Sequence, residues 1–422
     1  MSGRPARERA AIALVFVLVL ASHLMYEYCS QGDFYYPDSF TYLTPALNLQ
    51  RGLGFSNEGD PETIRTPGYP VFLLPFLAMK APAGAIVATQ HLLDALLAVA
   101  IYVLARRAGA RRWAAIAGAL VMGLDTVTVH YANKILTETL TAVGVLIAFV
   151  ILTHRRTTPW LVLAGLLCGS LVLTRPVAIA YFVVVALWLA LMRVPPIALT
   201  AFVVTALALP IAWTSRNAER TGVFTISSIG SNNLLMHRAA GALAAEDGGD
   251  FPTRLAARQQ ELQKILEKRI REAEGVEDPD MLTSADVSRY YSELARPILL
   301  HHPRGVMLVT LRGLAMNMFD TDWDALAEVV DDELIPELVT RYAVHIWTWL
   351  LWIASIAGIA VMWRRDRAQA VLLAATIFYF LFMAAGGEAE GRFRVPVIPL
   401  MAYAAAFAVP PERSKPPALI QH

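Results

Sequence analysis

The sequence predicts an all-α integral membrane protein with about ten transmembrane helices. Of its 422 residues, 56% are hydrophobic and 17% are charged, which is more apolar surface than one soluble core buries. The apolar residues are gathered into separate long runs, and arginines recur in the short connections between these runs. Because a backbone inside a bilayer must satisfy its own hydrogen bonds, each run is expected to form a helix.

Ten apolar runs approach the length of about 20 residues that a helix needs to cross the hydrocarbon core. The predicted helices span residues 10–27, 85–105, 113–131, 135–153, 159–174, 177–192, 197–213, 343–363, 368–384 and 394–409. The close pairs near residues 132 and 175 leave a re-entrant loop open as an alternative. The basic N-terminus is typical of a signal peptide, but no small-residue cleavage site follows before Tyr26, so a retained first helix is expected.

Positive charge is distributed in a way that orients these helices. Short cytoplasmic loops carry an excess of arginine and lysine, and every second connection in this chain is short and basic. These connections hold Arg4, Arg7, Arg9, Arg106, Arg107, Arg111, Arg112, Arg155, Arg156, Arg193, Arg364, Arg365, Arg367, Arg413 and Lys415. We therefore expect both termini in the cytoplasm and the long connections 28–84 and 214–342 on the outer face.

Three parts are expected along the chain. Residues 1–213 form an N-terminal transmembrane module, whose first outer loop, 28–84, holds two juxtamembrane helices, the first of them an interfacial helix at 39–50. Residues 214–342 form a small extracytoplasmic segment that is mostly helical, because apolar residues recur at helical spacing in 254–274. A brief β-like run, VFTISSI, precedes this spacing, but one strand does not make a sheet domain. Residues 343–422 supply the last transmembrane helices and a short cytoplasmic tail.

Asp38 follows Pro37 at the start of the first predicted interfacial helix on the outer face. A carboxylate in low-dielectric surroundings can serve as a general base, because burial raises its pKa toward the working range. A plainer role is also open, since polar residues at such a position commonly cap a helix.

Two charged residues interrupt apolar runs near the outer boundary. Glu138 falls in the first turns of KILTETLTAVGVLIAFVIL, and Arg175 lies in LVLTRPVAIAYF. An intramembrane charge is a functional hypothesis by default. The alternatives are an acid stabilised by the dipole of a helix N-terminus and an arginine that snorkels toward water.

Arginines at outer helix ends indicate an anionic ligand. Arg65 precedes TPGYP, and Arg392 and Arg394 lie in EAEGRFRVPVIPL. Guanidinium groups bind phosphate oxygens in a bidentate manner, so these side chains and Arg175 suit a phosphate. The net charge of +1 argues against a nucleic-acid partner. No metal site is expected, since neither the two cysteines nor the histidines have the spacing of metal ligands.

Six motifs follow one another in the order seen in a known family. They are DSFTYLTPALNLQRGLGFS, RTPGYPVFL, KILTETL, LTRP, RNAERTGVFTISSIGSNNLL and RFRVPVIPL. These motifs resemble the GT-C type glycosyltransferases that use polyprenyl-phosphate sugars, in particular the bacterial glycosyltransferase family 39, with relatives among protein O-mannosyltransferases and the lipid A aminoarabinose transferase. The resemblance covers most of residues 1–409. It implies a GT-C type multi-pass helical bundle with outer-face juxtamembrane helices.

The resemblance also implies a function. It implies transfer of a sugar from a polyprenyl-phosphate donor to a cell-envelope acceptor by an inverting displacement, with Asp38 as the general base. Glu138 matches a second acidic position of the family and is expected to be a second catalytic residue. The residues implied to bind the donor phosphate are Arg65, Tyr69, Arg175, Arg392 and Arg394. No cofactor and no metal are expected. The implied location is the bacterial cytoplasmic membrane, with membrane lipids as further partners and the active site on the extracytoplasmic face.

Two other functions stay open. A transporter or flippase for lipids or solutes would use Glu138 and Arg175 as coupling residues near the bilayer midplane. A non-catalytic scaffold would bind a partner through its outer helices. The acceptor is open as well, because the outer segment 252–318 is where this chain departs from the family.

Overall fold

A computed structural model of the chain describes residues 3–276, 282–327 and 337–409. Arg413 and Lys415, which the sequence predicts to be cytoplasmic, lie outside the described residues. The described part is almost entirely helical. Its only strands, β1 (Ser56–Asn57) and β2 (Asp60–Pro61), form one short antiparallel hairpin.

A helix lies at each of the ten predicted positions. In chain order the helices are α1 (Gly3–Cys29), α2 (Ser39–Gln50), α3 (Gly68–Ala78), α4 (Ala83–Arg107), α5 (Arg112–Gly123), α6 (Thr126–Ala132), α7 (Glu138–His154), α8 (Thr158–Thr174), α9 (Tyr181–Leu191), α10 (Pro196–Thr221), α11 (Ile229–Asn232), α12 (Ala240–Asp247), α13 (Phe251–Glu274), α14 (Ser284–His301), α15 (Pro303–Phe319), α16 (Trp323–Ala327), α17 (Glu337–Trp363), α18 (Arg367–Met383) and α19 (Ile398–Ala405). Two 3₁₀ segments, Pro176–Ala180 and Gly391–Val397, and one π-helical segment, Asn233–Ala239, extend neighbouring helices.

Fewer helices than predicted are long enough to cross a bilayer alone. Among the described residues, four helices are both long and apolar enough, namely α1, α4, α10 and α17. The pair α5–α6, bent by 49°, is a fifth if it forms one span. At 1.5 Å per residue, a helix of 17 residues such as α7 or α8 reaches about 25 Å, which is less than the hydrocarbon core of about 30 Å. The chain is therefore a helical membrane protein, and the count of ten spans stays a prediction.

Ionic contacts hold three helix ends together at an arginine-rich end of the bundle. Glu8 of α1 pairs with Arg106 at the end of α4 (3.0 Å) and with Arg112 at the start of α5 (3.2 Å). The first long connection, residues 30–82, leaves α1 and enters α4 at the opposite end. That opposite end carries the candidate site.

Glycines allow close helix contacts inside the bundle. A Cβ at Gly165 of α8 would lie 2.4 Å from the Phe202 carbonyl oxygen of α10. A Cβ at Gly358 of α17 would lie 1.8 Å from the Ala404 carbonyl oxygen of α19. Small residues are used in this way where apolar helices associate within a membrane.

The first long connection forms the two predicted juxtamembrane helices. α2 (Ser39–Gln50) coincides with the expected interfacial helix, and α3 (Gly68–Ala78) packs against it. Gly68 lies where α3 meets α8, because a Cβ there would be 2.6 Å from the Leu173 carbonyl oxygen. This contact brings the loop before α3 to the end of α8.

The outer helices have an apolar core of their own. Leu262, Leu266 and Ile270 of α13 are buried at the predicted helical spacing and contact α14 and the π-helical segment. The predicted three-part division stays a prediction, and its boundaries at residues 213 and 342 fall inside α10 and α17.

The prediction of a β-like run at VFTISSI is wrong. α10 ends at Thr221 and is followed by Gly222, which has a left-handed φ of 73°, and residues 223–228 form no strand. Three hydrogen bonds join this stretch to the loop before α3: the Ser228 N–H donates to the Thr63 carbonyl (2.8 Å), the Thr63 hydroxyl donates to the Ser228 hydroxyl (3.3 Å), and the Ser227 hydroxyl donates to the Ile64 carbonyl. The stretch therefore connects the outer helices to that loop and does not build a sheet.

Candidate functional site

Asp38 lies between two arginines from distant parts of the chain. Its Oδ1 is 2.6 Å from Nη2 of Arg65, and its Oδ2 is 2.9 Å from Nη2 of Arg392. Arg65 belongs to the loop before α3, and Arg392 belongs to the 3₁₀ segment after α18. The side chain of Asp38 keeps 28% of its surface exposed, so this carboxylate is neutralised but still accessible.

Glu138 and Arg175 form a second ion pair at adjacent helix ends. Glu138 is the first residue of α7 and Arg175 follows the last residue of α8. Oε1 of Glu138 is 2.7 Å from Nη1 of Arg175, and both side chains are buried. The macrodipole favours an acid at a helix N-terminus and a base at a helix C-terminus. Arg175 is therefore held by an acid and does not snorkel to water.

Arg392 joins the two pairs into one cluster. Its Nε lies 3.2 Å from Oε1 of Glu138 and 3.2 Å from Oε1 of Glu390, while its Nη2 reaches Asp38. We define the ionic cluster as Asp38, Arg65, Glu138, Arg175, Glu390 and Arg392. With all groups ionised, three carboxylates balance three guanidinium groups.

Aromatic rings surround the arginines of the ionic cluster. Cζ of Arg392 lies 5.1 Å from the ring centre of Tyr36, 5.4 Å from Phe393 and 5.9 Å from Tyr131. Cζ of Arg175 is 5.2 Å from the same Phe393 ring. Cation–π contacts of this kind hold a guanidinium in place without using its N–H donors.

The side chain of Asp38 does not cap α2. Asp38 has helical backbone angles, φ −72° and ψ −20°, and accepts no capping hydrogen bond. Burial alone would raise the pKa of Asp38, but the charges of Arg65 and Arg392 outweigh burial, so the pKa is lowered. In this arrangement Asp38 is ionised and is a weak base.

The residues before α7 fix the loop that carries Asp38. Lys134 pairs with Asp33, and the Ile135 N–H donates to the Phe34 carbonyl (2.9 Å). These contacts lie within five residues of Asp38 and immediately before α7. One ion pair and one backbone hydrogen bond therefore hold the Asp38 loop against the residues before Glu138.

Glu62 shapes the loop that presents Arg65. One oxygen of the buried Glu62 carboxylate accepts hydrogen bonds from the N–H groups of Ile64 and Arg65, the latter at 2.9 Å. Arg216 of α10 donates to the Glu62 carbonyl (3.0 Å). Nε of Arg65 donates to the Thr41 hydroxyl (2.8 Å), which orients its guanidinium toward Asp38.

Two of the predicted phosphate ligands lie outside the ionic cluster. Tyr69 is fully buried in α3, where its hydroxyl donates to Oε1 of Gln90 (2.7 Å). Arg394 is fully buried and donates to the Asp320 carbonyl, while its Nε and Nη2 have no hydrogen-bond partner among the described residues. The cluster thus contains Arg65, Arg175 and Arg392, and a phosphate-binding role for Tyr69 and Arg394 stays a prediction.

Sequence reasoning missed the acids around the second arginine loop. Glu390, two residues before Arg392, belongs to the ionic cluster, and burial raises its pKa. The Gly391 N–H donates to both Asp320 Oδ2 and Asp322 Oδ1 at 3.1 Å. Burial, with Asp320 beside it, raises the pKa of Asp322 to about 8. Glu390 was visible in the EAEGRFR motif, whereas the FDTD stretch indicates only a turn.

The apolar helices and the ionic cluster at one end of them define a helical membrane protein with a charged site at the end of its bundle. The sequence matches no family model and no curated protein.

Among solved structures, the chain is similar to the archaeal oligosaccharyltransferase AglB from Archaeoglobus fulgidus, in complex with an inhibitory peptide and a dolichol-phosphate. The TM-score is 0.51 and the sequence identity is 11%. The match covers 97% of this chain and 50% of AglB, so the chain spans about half the length of that protein. The likeness shows a GT-C fold. It does not test membership of the bacterial glycosyltransferase family 39, which the sequence motifs predict.

Proposed function

We propose that this chain is a membrane glycosyltransferase of the family 39 type, which moves a sugar from a polyprenyl-phosphate donor to a cell-envelope hydroxyl. The observation that carries the proposal is the position of Asp38, a partly exposed carboxylate between two arginines at the end of an apolar bundle. A polyprenyl phosphate has an apolar chain and an anionic head, which match the bundle and the arginines respectively. The dolichol-phosphate bound by AglB supports the same class of lipid.

The donor phosphate is proposed to compete with the carboxylates for the three arginines. Each of Arg65, Arg175 and Arg392 pairs with a carboxylate of the ionic cluster. A guanidinium fork binds two phosphate oxygens as readily as two carboxylate oxygens. Donor binding would therefore transfer positive charge from Asp38 to the phosphate.

This exchange is proposed to convert Asp38 into a stronger base. Burial raises the pKa of Asp38, and only the two arginine charges hold it low. When the phosphate draws those charges away, the effect of burial dominates and the pKa rises. Asp38 then accepts the proton of the acceptor hydroxyl while that oxygen attacks the anomeric carbon.

The displacement balances without a cofactor. The new glycosidic bond forms as the bond from the anomeric carbon to the phosphate oxygen breaks, and the polyprenyl phosphate leaves with the electron pair. Arg175 and Arg392 stabilise the charge that develops on the leaving phosphate. A single displacement of this kind inverts the anomeric configuration.

Glu138 is proposed to position the arginines, although the sequence predicted a catalytic role for it. Its side chain is 1% exposed, and its Oε1 contacts both Arg175 and Arg392. A carboxylate enclosed in this way is poorly placed to reach an acceptor but well placed to orient two guanidinium groups.

The ionic cluster is proposed to face the extracytoplasmic side of a bacterial cytoplasmic membrane. The cluster lies opposite the arginine-rich bundle end at which Glu8, Arg106 and Arg112 meet. An excess of arginine is typical of cytoplasmic connections. Acceptors of the cell envelope would then be available at the cluster.

Donor specificity tests the proposal. Purified full-length protein in lipid nanodiscs would be incubated with polyprenyl-phosphate sugars or with the corresponding nucleotide sugars, and with envelope lipids, glycans and proteins as acceptors. We expect products only from lipid-linked donors. Products from nucleotide sugars alone would contradict the donor class, and movement of intact lipid-linked sugar across vesicles without any product would favour a flippase.

A further inference from the structure

A cleft of about 390 Å³ separates the outer helices from the loop that carries Arg65. α13 and α14 form one wall, residues 228–232 form the other, and Ile64 contributes to the cleft from the Arg65 loop. The volume is within the range of sites that bind small molecules. The ionic cluster does not include any residue of this cleft.

The cleft is attached to the ionic cluster through the backbone. The Ser228 N–H donates to the Thr63 carbonyl (2.8 Å), which joins the cleft wall to the loop before α3. Ile64 in the cleft is followed by Arg65, whose guanidinium is 2.6 Å from Asp38. Since successive Cα atoms are about 3.8 Å apart, a ligand in the cleft would be separated from the base by little more than one arginine side chain.

The lining of the cleft combines polar and apolar side chains. Asn232, Gln263 and Ser284 supply amide and hydroxyl groups, and Tyr291 supplies an aromatic ring. Gln263 donates to Oε1 of Glu267 (3.0 Å), and the partly exposed Asn232 contributes a second amide to the lining. Amides, hydroxyls and a carboxylate beside a ring are the groups that bind the hydroxyls and the apolar face of a sugar.

Two other ligand classes fit this lining less well. No arginine or lysine lines the cleft within the described residues, so the lining offers no cationic group to an anionic ligand such as a phosphate. An extended peptide binds by adding a strand to an exposed sheet edge. The long walls of this cleft are helices, which offer no such edge.

We propose that this cleft binds an uncharged carbohydrate portion of the acceptor and directs its hydroxyl toward Asp38. The proposal rests on the proposed glycosyl transfer, to which it adds the acceptor class. The donor phosphate and the acceptor carbohydrate thus use opposite sides of the Arg65 loop.

Two tryptophan substitutions three residues apart on α13 test the proposal. Gln263 lines the cleft, and Gln260 is exposed to solvent. Purified full-length protein would be applied to an array of neutral monosaccharides and oligosaccharides. We expect the wild type and Gln260→Trp to bind the same saccharides, and Gln263→Trp to bind them at least about tenfold more weakly.

A second variant and a donor measurement keep the test decisive. Asn232→Ala removes an amide of the lining without filling the cleft and should also weaken saccharide binding, even if Gln263→Trp folds poorly. Thermal stabilisation by polyprenyl phosphate should be unchanged in Asn232→Ala. Failure of the wild type to bind any neutral saccharide, or equal binding by Gln260→Trp and Gln263→Trp, overturns the cleft assignment alone. Saccharide binding without transfer from any lipid-linked donor overturns the proposed function.

Discussion

Arg392 contacts three carboxylates and Arg65 contacts one, so removal of Arg392 should cost more stability than removal of Arg65. In Arg392→Gln, the ionic cluster keeps three carboxylates but only two guanidinium groups. The contacts that are lost measure 2.9 Å to Asp38, 3.2 Å to Glu138 and 3.2 Å to Glu390. The cluster changes from neutral to a net charge of −1.

The size of this loss follows from burial. Breaking a buried ion pair by removing one partner costs about 3–5 kcal/mol. Glu138 is 1% exposed and Arg392 is 13% exposed, but Asp38 is 28% exposed and is partly screened by solvent. We therefore expect the free energy of unfolding to fall by about 3 kcal/mol, near the lower limit. Arg65→Gln, which breaks only the more exposed Arg65–Asp38 pair, should cost about 1 kcal/mol.

The pH dependence separates the electrostatic effect from lost packing. In the wild type, burial would raise the pKa of Asp38, but Arg65 and Arg392 lower it. A carboxylate with a lowered folded pKa stabilises the protein above its unfolded pKa and loses that contribution as pH falls through the folded value. Without Arg392, the carboxylates bind protons more readily in the folded state. The difference between wild type and variant should therefore shrink as the pH falls from 7 to about 4.

Unfolding in mixed micelles of a mild detergent and SDS, followed by circular dichroism, measures this difference. Equal losses for Arg392→Gln and Arg65→Gln would refute the reasoning, because the two arginines contact different numbers of carboxylates. A loss for Arg392→Gln that does not change between pH 7 and about 4 would refute it as well.

Three further predictions concern the loop after α18 and the donor phosphate. Gly391→Ala should lower transfer about tenfold, because a Cβ there would lie 2.6 Å from a carbonyl oxygen of the turn after α15; at Gly84, the control, the nearest atom to a Cβ is a ring carbon of Phe34 at 3.5 Å, which is an ordinary contact. Burial raises the pKa of Asp322 to about 8. The ionised form of this carboxyl is therefore disfavoured in the folded protein, and it lowers the free energy of unfolding as the pH rises from about 4 to about 8. Asp322→Asn should accordingly raise the melting temperature more at pH 8 than at pH 5. Arg175→Gln should remove most of the thermal stabilisation by sugar-free polyprenyl phosphate, whereas substitution of the exposed Arg254 by Gln should not.

Each of these predictions has a contrary outcome. Equal transfer rates in the two glycine variants would contradict the close approach at Gly391. A stability gain in Asp322→Asn that is the same at both pH values would contradict a raised pKa. Equal lipid stabilisation in the two arginine variants would contradict phosphate binding by the ionic cluster.

The helical plan could be predicted because its determinants are local in sequence. The run 39–50 was expected as an interfacial helix, and α2 has those bounds. Glu138 was expected in the first turns of a helix, and it begins α7. Apolar run length and the positions of arginine determine these features. Whether a short helix such as α8 crosses the membrane depends on its tilt and on the helices packed against it. The length of the apolar run determines neither of these.

The chemistry of the site was only partly predictable, because it depends on side-chain direction. The sequence does not distinguish the two arginines of the RFR motif. In the structure Arg392 belongs to the ionic cluster, whereas Arg394 donates to the Asp320 carbonyl. The segment is a 3₁₀ helix, in which three residues make one turn, so residues two apart lie on different sides. The sequence placed a membrane helix at 394–409 and gave no reason to expect this turn.

Asp38 also shows why spacing alone left two roles open. Its position at the start of α2 is that of a capping residue, but its carboxylate accepts no capping bond and pairs with Arg65 and Arg392. Those partners lie 27 and 354 residues away in the chain. Only the packed helices bring them to the same carboxylate.

The most direct test of the central proposal is the initial rate of sugar transfer by Asp38→Asn from a lipid-linked donor that the wild type uses. Binding of sugar-free polyprenyl phosphate would be measured on the same samples as a control for folding. We predict a rate at least about 100-fold lower, with lipid binding retained or tighter, because the two arginines lose a competing carboxylate. A transfer rate within a few-fold of the wild type, with lipid binding intact, would contradict the role of Asp38 as the general base.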